Sequence, residues 1–313
     1  MTARRRPATL ALHKPHQEHS MSLEGKVAFI TGAGSGIGRG TAVRLAREGA
    51  NICIADIDMD GAEETASMVR EFGREAITVK MNVASQPQVQ AAADRCVNEL
   101  KRMDIAVANA GIGRAGSVLD LTLKDWQDQV DINLTGVFLT VQAAAQRMKA
   151  LGNGGRIVCI SSLAALNVSS TMWAYSATKA GVAIMVRGWA QDLGQYGITV
   201  NAIGPGVIDT PLAHGLAGDE GGPIRRSLEE RTPVGRAGRP ADIAGLIAFM
   251  AGPDGEFMTG SYVLMDGGLR DAAGGRPPLQ QQDASDPRVQ EMMRHFAAGQ
   301  ARRERLQPLI DER

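Results

Sequence analysis

Short apolar runs alternate with longer amphipathic stretches between residues 21 and 269. The runs are rich in Val, Ile and Ala, and the continuous apolar segment at residues 157–160 is typical of a strand buried on both faces of a parallel sheet. The pattern predicts strands over residues 27–31, 51–56, 76–83, 105–109, 156–161, 199–203 and 262–265. It predicts helices over residues 36–48, 61–72, 87–101, 124–151, 173–196 and 240–250.

This alternation of strands and helices predicts one α/β domain over residues 21–269. Right-handed crossovers would build a single doubly wound, Rossmann-type sheet of seven parallel strands, with helices on both faces.

The two ends of the chain depart from this pattern. Residues 1–20 contain three consecutive arginines and no apolar periodicity, which predicts a disordered tail, or a start assigned too early with Met21 as the natural start. A twin-arginine export signal would have only residues 8–12 as its apolar core, which is too short. Residues 270–313 form a predicted extension, first a linker rich in Gly, Pro and Gln and then a candidate helix. The sequence leaves open whether that helix docks on a partner subunit or stays solvated.

Composition and charge exclude several classes of protein. Lys plus Arg and Asp plus Glu are balanced at 34 each, so no net field attracts nucleic acid or an anionic membrane. No apolar stretch approaches the roughly 18 residues of a membrane helix, and the three cysteines lack metal-ligand spacing. These features predict a cytoplasmic protein with buried thiols, without a metal site and without nucleic-acid or membrane partners.

A glycine-rich segment follows the first predicted strand. Its G-x-x-x-G-x-G spacing lets the backbone turn tightly and approach a pyrophosphate, which the free N–H groups of the next helix can bind. The predicted cofactor-binding residues of this loop are Gly32, Ser35, Gly36, Ile37 and Gly38.

The residues around this loop favour NAD over NADP. Asp56 closes the second predicted strand, where it can accept hydrogen bonds from the adenosine ribose and repel a 2′-phosphate. Ser35 lies where an NADP-binding loop often carries a basic residue. Arg39 is close enough to reach a phosphate, so NADP remains the less favoured alternative.

Tyr175 and Lys179 fall four positions apart on a predicted helix, so their side chains face the same way. A phenol with a pKa near 10 is a poor base, but a lysine ammonium and the positive nicotinamide ring both favour the phenolate. Lowering that pKa by about 3 units corresponds to roughly 4 kcal/mol of electrostatic stabilisation. Ser162, just beyond the fifth strand, can donate a hydrogen bond to a substrate oxygen. This set predicts an oxidoreductase in which Tyr175 donates and accepts the proton.

The glycine loop (TGxxxGxG) and the Tyr-x-x-x-Lys pair resemble the common branch of the short-chain dehydrogenase/reductase family over residues 21–269. The resemblance implies that Lys179 also hydrogen-bonds the nicotinamide ribose. It makes Asn133 a fourth catalytic residue, holding a water that relays the proton to solvent. Three residues are implied to steady the sheet beside the cofactor: Asn109, Ala110 and Gly111.

The resemblance also covers a turn that would bind the nicotinamide, made of Pro205, Gly206, Ile208 and Thr210. Asn82 and Val83 match the adenine contact, where the family more often has Asp. The family resemblance implies a homotetramer. Because the extension continues past the family's usual chain end, we expect residues 287–313 to pack across an interface or over a neighbour's active-site mouth.

Residues 207–235 lack clear periodicity and are predicted to form an irregular lid. Leu212 and Leu216 would give it an apolar lining. Arg225 and Arg226 could contact an anion, but arginines in loops are more often solvated, and we expect these two to be solvated. With the apolar residues that flank Ser162 and Tyr175, the lid favours a cyclic or medium-chain secondary alcohol, or its ketone, as substrate.

Two alternatives are weighed against this function. A reductase of 3-oxoacyl thioesters has the same machinery but usually prefers NADPH. A non-catalytic scaffold that senses NAD would be expected to lose the tyrosine or the lysine, and both are present here.

Overall fold

The strands assemble into one sheet in a computed structural model, which describes residues 23–217 and 222–271 together with residues 290, 291 and 294. They are β1 (Val27–Thr31), β2 (Asn51–Asp56), β3 (Ala76–Lys80), β4 (Ile105–Ala108), β5 (Gly155–Ile160), β6 (Ile198–Pro205) and β7 (Tyr262–Met265). Their order is β3-β2-β1-β4-β5-β6-β7, and every neighbouring pair is parallel. The predicted doubly wound sheet of seven parallel strands is confirmed.

The helices cover both faces of this sheet. They are α1 (Gly36–Arg47), α2 (Met59–Arg70), α3 (Gln86–Leu100), α4 (Leu123–Val130), α5 (Gly136–Leu151), α6 (Trp173–Leu193), α7 (Pro211–Ala217), α8 (Pro223–Arg231) and α9 (Pro240–Ala251). Successive strand residues point to opposite faces, so Phe29 of β1 packs in the core under α3, α5 and α6, while Ile30 packs under α1, α2 and α9. Each central strand is therefore apolar on both sides, which explains the continuous apolar runs in the sequence.

The predicted helix over residues 124–151 is wrong as a single α-helix. The structure has α4, then one π turn at Asp131–Thr135, and then α5. Both ends of the Asn133 carboxamide bond to the backbone of Ile112, which ties this part of the helix to the loop after β4. Such π turns inside α-helices often occur at functional sites.

The predicted irregular lid over residues 207–235 instead contains two short helices, α7 and α8. The hydroxyl of Thr210 accepts a hydrogen bond from the N–H of Ala213 at 3.2 Å and so caps α7. Pro211 and Pro223 stand first in the two helices, where a missing N–H costs nothing. The glycines of this segment interrupt the apolar spacing, so the sequence pattern predicts neither helix.

The strand predicted over residues 76–83 ends at Lys80. Asn82 turns the chain there, because its side-chain oxygen accepts a hydrogen bond from the N–H of Ala84 at 2.9 Å.

The predicted tail over residues 1–20 and the linker after residue 271 lie outside the described residues. In the extension, Gln290, Glu291 and Arg294 are described as helical. Within the described part of the chain, no helix is long and apolar enough to cross a bilayer. The same residues contain no cluster of His, Cys, Asp or Glu arranged to hold a metal ion.

Candidate active site

The glycine loop between β1 and α1 is closely packed against β4. Gly32 and Gly36 adopt φ values of 65° and 55°, in the left-handed region that favours glycine. A Cβ on Gly38 would collide with the carbonyl oxygen of Gly32 and lie 2.6 Å from Nδ2 of Asn109. The loop therefore has no room for side chains at these positions, and its backbone lies at the start of α1. This cradle fits the pyrophosphate of a dinucleotide.

Asp56 lies at the end of β2 beside this loop. Its carboxylate accepts hydrogen bonds from the N–H of Gly34 at 2.7 Å and from the N–H of Asp58 at 2.9 Å. Burial raises the pKa of Asp56, and the two backbone N–H groups oppose that rise. The carboxylate keeps further lone pairs that can accept bonds from ribose hydroxyls.

The guanidinium of Arg39 is engaged within the protein. It donates to the carbonyl oxygen of Gly34 at 2.6 Å and to the carboxylate of Glu64 at 2.6 Å. Its Nε donates to the hydroxyl of Thr65 at 3.1 Å. Arg39 therefore joins α1 to α2, instead of projecting toward a phosphate as the sequence allowed.

Asn109 connects β4 to the glycine loop. Its Nδ2 donates to the carbonyl oxygens of Thr31 and Gly32, both at 2.9 Å. The N–H of the neighbouring Ala110 donates to the hydroxyl of Thr31 at 3.2 Å. These bonds hold the loop against the carboxyl end of the sheet, where ligands of doubly wound sheets bind.

The two residues predicted to contact adenine have structural partners as well. The N–H of Asn82 donates to Oε1 of Gln88 at 2.8 Å, and the Asn82 side chain is buried. Val83 packs against α5, where a Cβ on Gly136 would lie 2.8 Å from its Cγ2.

Ser162, Tyr175 and Lys179 meet beyond the carboxyl end of β5. Tyr175 and Lys179 lie on α6, and the Lys179 Nζ is 5.7 Å from the centre of the Tyr175 ring. Ser162 is hydrogen-bonded to the Tyr175 side chain and accepts a bond from the N–H of Ala164 at 3.1 Å. The structure therefore brings the three predicted catalytic side chains together.

The electrostatics of this group differ from the sequence-based expectation. Burial raises the pKa of Tyr175 above its ordinary value, and the hydrogen bond from Ser162 only partly opposes that rise. Burial also lowers the pKa of Lys179 to about 8. Without the cofactor, the pKa of Tyr175 is therefore raised, because burial and the neighbouring Tyr262 outweigh the hydrogen bond from Ser162. The expected lowering, which also depends on the positive nicotinamide ring, stays a prediction.

Asn133 is fully buried in the π turn. Its Oδ1 accepts from the N–H of Ile112 at 2.8 Å, and its Nδ2 donates to the carbonyl oxygen of Ile112 at 2.8 Å and to the Thr178 hydroxyl at 3.3 Å. A Cβ on Gly111 would lie 3.2 Å from Oδ1 of Asn133 and 3.4 Å from Nζ of Lys179. Gly111 thus allows these two polar groups to approach the same stretch of backbone.

The predicted nicotinamide turn follows β6. Pro205 ends that strand, and Gly206 packs so closely on Asp266 that a Cβ would lie 2.7 Å from its Cα. Ile208 is buried, and its carbonyl oxygen accepts from the Thr210 hydroxyl at 3.2 Å. A Cβ on Gly36 would lie 3.2 Å from Cγ2 of Thr210, which places this turn against the glycine loop.

The expectation that Arg225 is solvated is wrong, although Arg226 is exposed. The Arg225 side chain is buried and pairs with Glu229 at 2.8 Å and with Asp209 at 3.4 Å. Asp209 also bonds the ring of His214 at 2.6 Å, so one carboxylate connects the nicotinamide turn to both lid helices. The i,i+4 spacing of Arg225 and Glu229 is the only local sequence signal for this network.

The lid reaches the loop after β4. A Cβ on Gly113 would lie 3.0 Å from Cδ1 of Leu216 and 3.6 Å from Cδ1 of Leu212. These are the two leucines predicted to give the lid its apolar lining.

The sequence reading missed Tyr262 on β7. Its hydroxyl donates to the backbone carbonyl oxygen of Ser162 at 2.5 Å. No local pattern signals this contact, because the two residues are 100 positions apart in the chain.

Similarity to known proteins identifies the family of this chain. A family profile described as enoyl-(acyl carrier protein) reductase matches residues 32–270. The cis-4-hydroxycyclohexanecarboxylate dehydrogenase of Sinomonas cyclohexanicum is 39% identical over 244 residues, covering 78% of this chain and 96% of that protein. The 3-oxoacyl-(acyl-carrier-protein) reductase FabG of Thermotoga maritima is 34% identical over 249 residues, covering 80% of this chain and 99% of that protein.

A solved 7α-hydroxysteroid dehydrogenase, complexed with NADH and 7-oxo glycochenodeoxycholic acid, superposes with a TM-score of 0.76 at 33% identity. The match covers 81% of this chain and 97% of that one. The chain belongs to the short-chain dehydrogenase/reductase family, and the predicted family membership is confirmed.

Proposed function

We propose that this protein is an NAD(H)-dependent oxidoreductase that interconverts a secondary alcohol and a ketone. The observation that carries the proposal is the convergence of Ser162, Tyr175 and Lys179 at the carboxyl end of β5, next to the glycine loop. A nucleotide-binding scaffold needs the loop alone, whereas this side-chain set is suited to proton transfer.

Each residue has a separate task in this proposal. Ser162 donates a hydrogen bond to the substrate oxygen and orients it. Tyr175 gives its phenolic proton to that oxygen in ketone reduction and removes the alcohol proton in oxidation. Lys179, whose Nζ donates to the carbonyl oxygen of Ile160 at 2.9 Å, provides the neighbouring positive charge when protonated. By the family resemblance, it would also bind the nicotinamide ribose. Asn133, whose side chain is bonded to the backbone of Ile112, would hold the water that relays the proton to solvent.

The nicotinamide cofactor, when bound, supplies or accepts the hydride, and its oxidised ring adds positive charge beside Tyr175. Burial alone keeps Tyr175 protonated, which suits the reduction of a ketone. Oxidation of an alcohol needs the phenolate and is therefore expected to become faster as the pH rises.

The proposed preference for NAD rests on Asp56 and Arg39. The carboxylate of Asp56 would repel a 2′-phosphate, and Arg39 is neutralised by Glu64 at 2.6 Å. In the Asp56→Ala variant, the ratio of kcat/KM for NAD to that for NADP should fall. A wild-type enzyme that turns over with NADP and not with NAD would contradict this reading of Asp56.

The proposed substrate is a cyclic or medium-chain secondary alcohol, or its ketone. Leu212 and Leu216 of the lid support an apolar pocket, and the Sinomonas relative is named for a hydroxylated cyclohexane ring. A 3-oxoacyl thioester is the second candidate, supported by the similarity to the Thermotoga reductase. A scaffold that binds NAD without turnover is the third reading, which the intact catalytic set disfavours.

The test is to measure NADH formation from NAD over a panel of secondary alcohols, sugars, sterols and 3-hydroxyacyl thioesters, with NADP in parallel. Turnover of a cyclic alcohol supports the proposal, and turnover of thioesters alone favours the second candidate. Tight NADH binding without turnover of any compound would favour the scaffold.

We also propose a cytoplasmic homotetramer whose catalytic domain spans residues 21–269. The family resemblance supports this assembly. Mass measurement by light scattering coupled to gel filtration tests it, and a monomer in dilute solution would contradict it.

A further inference from the structure

Tyr262 reaches the catalytic serine across an intervening strand. It begins β7, whereas Ser162 follows β5, and β6 lies between these two strands. The side chain crosses β6 at Gly204, where a Cβ would collide with the Tyr262 hydroxyl. The hydroxyl then donates to the carbonyl oxygen of Ser162 at 2.5 Å.

This bond is the second hydrogen bond to the carbonyl oxygen of Ser162. The same carbonyl oxygen accepts from the N–H of Ala165 at 2.9 Å, so both of its lone pairs are used. The Ser162 hydroxyl accepts from the N–H of Ala164 at 3.1 Å, which leaves its proton to point toward Tyr175 or a substrate. The direction of that proton depends on the orientation of the Ser162 peptide.

We propose that Tyr262 is a positioning residue, whose hydroxyl fixes the Ser162 backbone and so aims the Ser162 hydroxyl at Tyr175 and the substrate oxygen. The inference rests on the proposed function, because it gives Tyr262 a task in that reaction. Burial raises the pKa of Tyr262, so its hydroxyl stays a donor over the working pH range.

The ring and the hydroxyl of Tyr262 have separable roles. The ring is half-buried and packs against the core under α3, α5 and α6, a task that phenylalanine would also perform. The hydroxyl contacts the Ser162 carbonyl oxygen and the Ser161 side chain, and it is not needed for that packing. Tyr262→Phe therefore removes the positioning bond and retains the apolar contact.

The test compares Tyr262→Phe with Tyr196→Phe, a matched control whose hydroxyl bonds Lys149 at 3.1 Å on the protein surface. We expect kcat of Tyr262→Phe to fall roughly 2- to 12-fold, the equivalent of one neutral hydrogen bond. The KM for the nicotinamide cofactor should not change. The charge that Tyr262 carries when ionised raises the pKa of Tyr175, so loss of that charge alone would move the alkaline rise of the alcohol-oxidation rate to lower pH. A weakened bond from Ser162 acts in the opposite direction, so a move to higher pH is the result that the positioning bond predicts.

A second measurement needs no substrate. Tyrosinate absorbance is followed against pH in the wild type and in Tyr262→Phe, each with and without Tyr175→Phe, so that the difference isolates Tyr175. An upward shift of the Tyr175 titration in Tyr262→Phe supports the inference even if the panel of alcohols shows no turnover. The absence of turnover would contradict only the proposed function.

A Tyr175 titration that stays unchanged or moves to lower pH, with kcat equal to that of Tyr196→Phe, would overturn the inference. So would a lower thermal stability with no change in either profile, since that result assigns Tyr262 to packing alone. If Tyr262→Phe does not fold, Gly204→Ala displaces the hydroxyl from the opposite side. The same two measurements then decide the inference.

Discussion

The Nζ of Lys179 donates to the backbone carbonyl oxygen of Ile160 at 2.9 Å. Ile160 ends β5 and Lys179 lies on α6, where its side chain is almost fully buried. A single carbonyl replaces little of the water that an ammonium loses on burial, so the pKa of Lys179 falls to about 8. Protonation of Lys179 is therefore unfavourable in the folded protein.

Because Lys179 is buried, the free energy of unfolding should depend on pH. Between pH 8 and the ordinary lysine pKa of 10.5, the unfolded chain binds a proton at Lys179 that the folded chain does not. The free energy of unfolding of the wild type should therefore rise relative to Lys179→Met across that window, by about 3 kcal/mol in total. Urea unfolding of both proteins at several pH values measures the difference between their free energies of unfolding. The contributions of the other titrating groups cancel in this difference. A difference that stays constant from pH 8 to 10.5 would show that Lys179 is not desolvated.

The glycine loop offers a second test. Gly38→Ala would place a methyl group against the carbonyl oxygen of Gly32, so we expect a loss of about 1–3 kcal/mol in stability and weaker NADH binding. Gly188→Ala is the matched control, because this exposed glycine of α6 has open space at its Cβ position. The control should gain roughly 0.5–1 kcal/mol and bind NADH as the wild type does. Equal NADH affinity in the two variants would argue against the loop as the dinucleotide site.

Asp209 of the predicted nicotinamide turn bonds His214 of α7 and Arg225 of α8. The hydrogen bond from His214 and the charge of Arg225 lower the pKa of Asp209. Its contribution to stability is therefore present above the ordinary aspartate pKa and is lost as the pH falls through the lowered value. Asp209→Asn should loosen the lid and raise the KM for the substrate.

Asp192→Asn, at an exposed position on α6, is the control for the Asp209 experiment and should leave the KM unchanged. Equal KM values in Asp209→Asn and the wild type would show that the network does not restrain the lid.

The C-terminal extension is tested by deletion of residues 272–313. If residues 287–313 pack across a subunit interface or over a neighbour's active site, the deletion should change the oligomer mass, the melting temperature or the KM for the substrate. A truncated protein that matches the full chain in all three measurements would rule out that role.

The sheet could be predicted because each central strand is buried on both faces and leaves an apolar run in the sequence. The glycine loop and the Tyr175–Lys179 pair could also be predicted, since their geometry is set within a few residues of chain. The π turn at Asn133 could not, because it depends on bonds to Ile112 in a different loop. Tyr262 was missed because Ser162 lies 100 positions away in the sequence. The burial of Arg225 was not predicted, because its partner Asp209 lies 16 positions away and outside its helix.

The central claim is that Tyr175 transfers the proton. Its most direct test is the rate of NADH formation with an accepted secondary alcohol, measured for Tyr175→Phe beside Tyr196→Phe. We predict that Tyr175→Phe loses about 10²- to 10⁴-fold in kcat and still binds NADH, while Tyr196→Phe keeps the wild-type rate. A Tyr175→Phe enzyme with the wild-type rate would contradict the account.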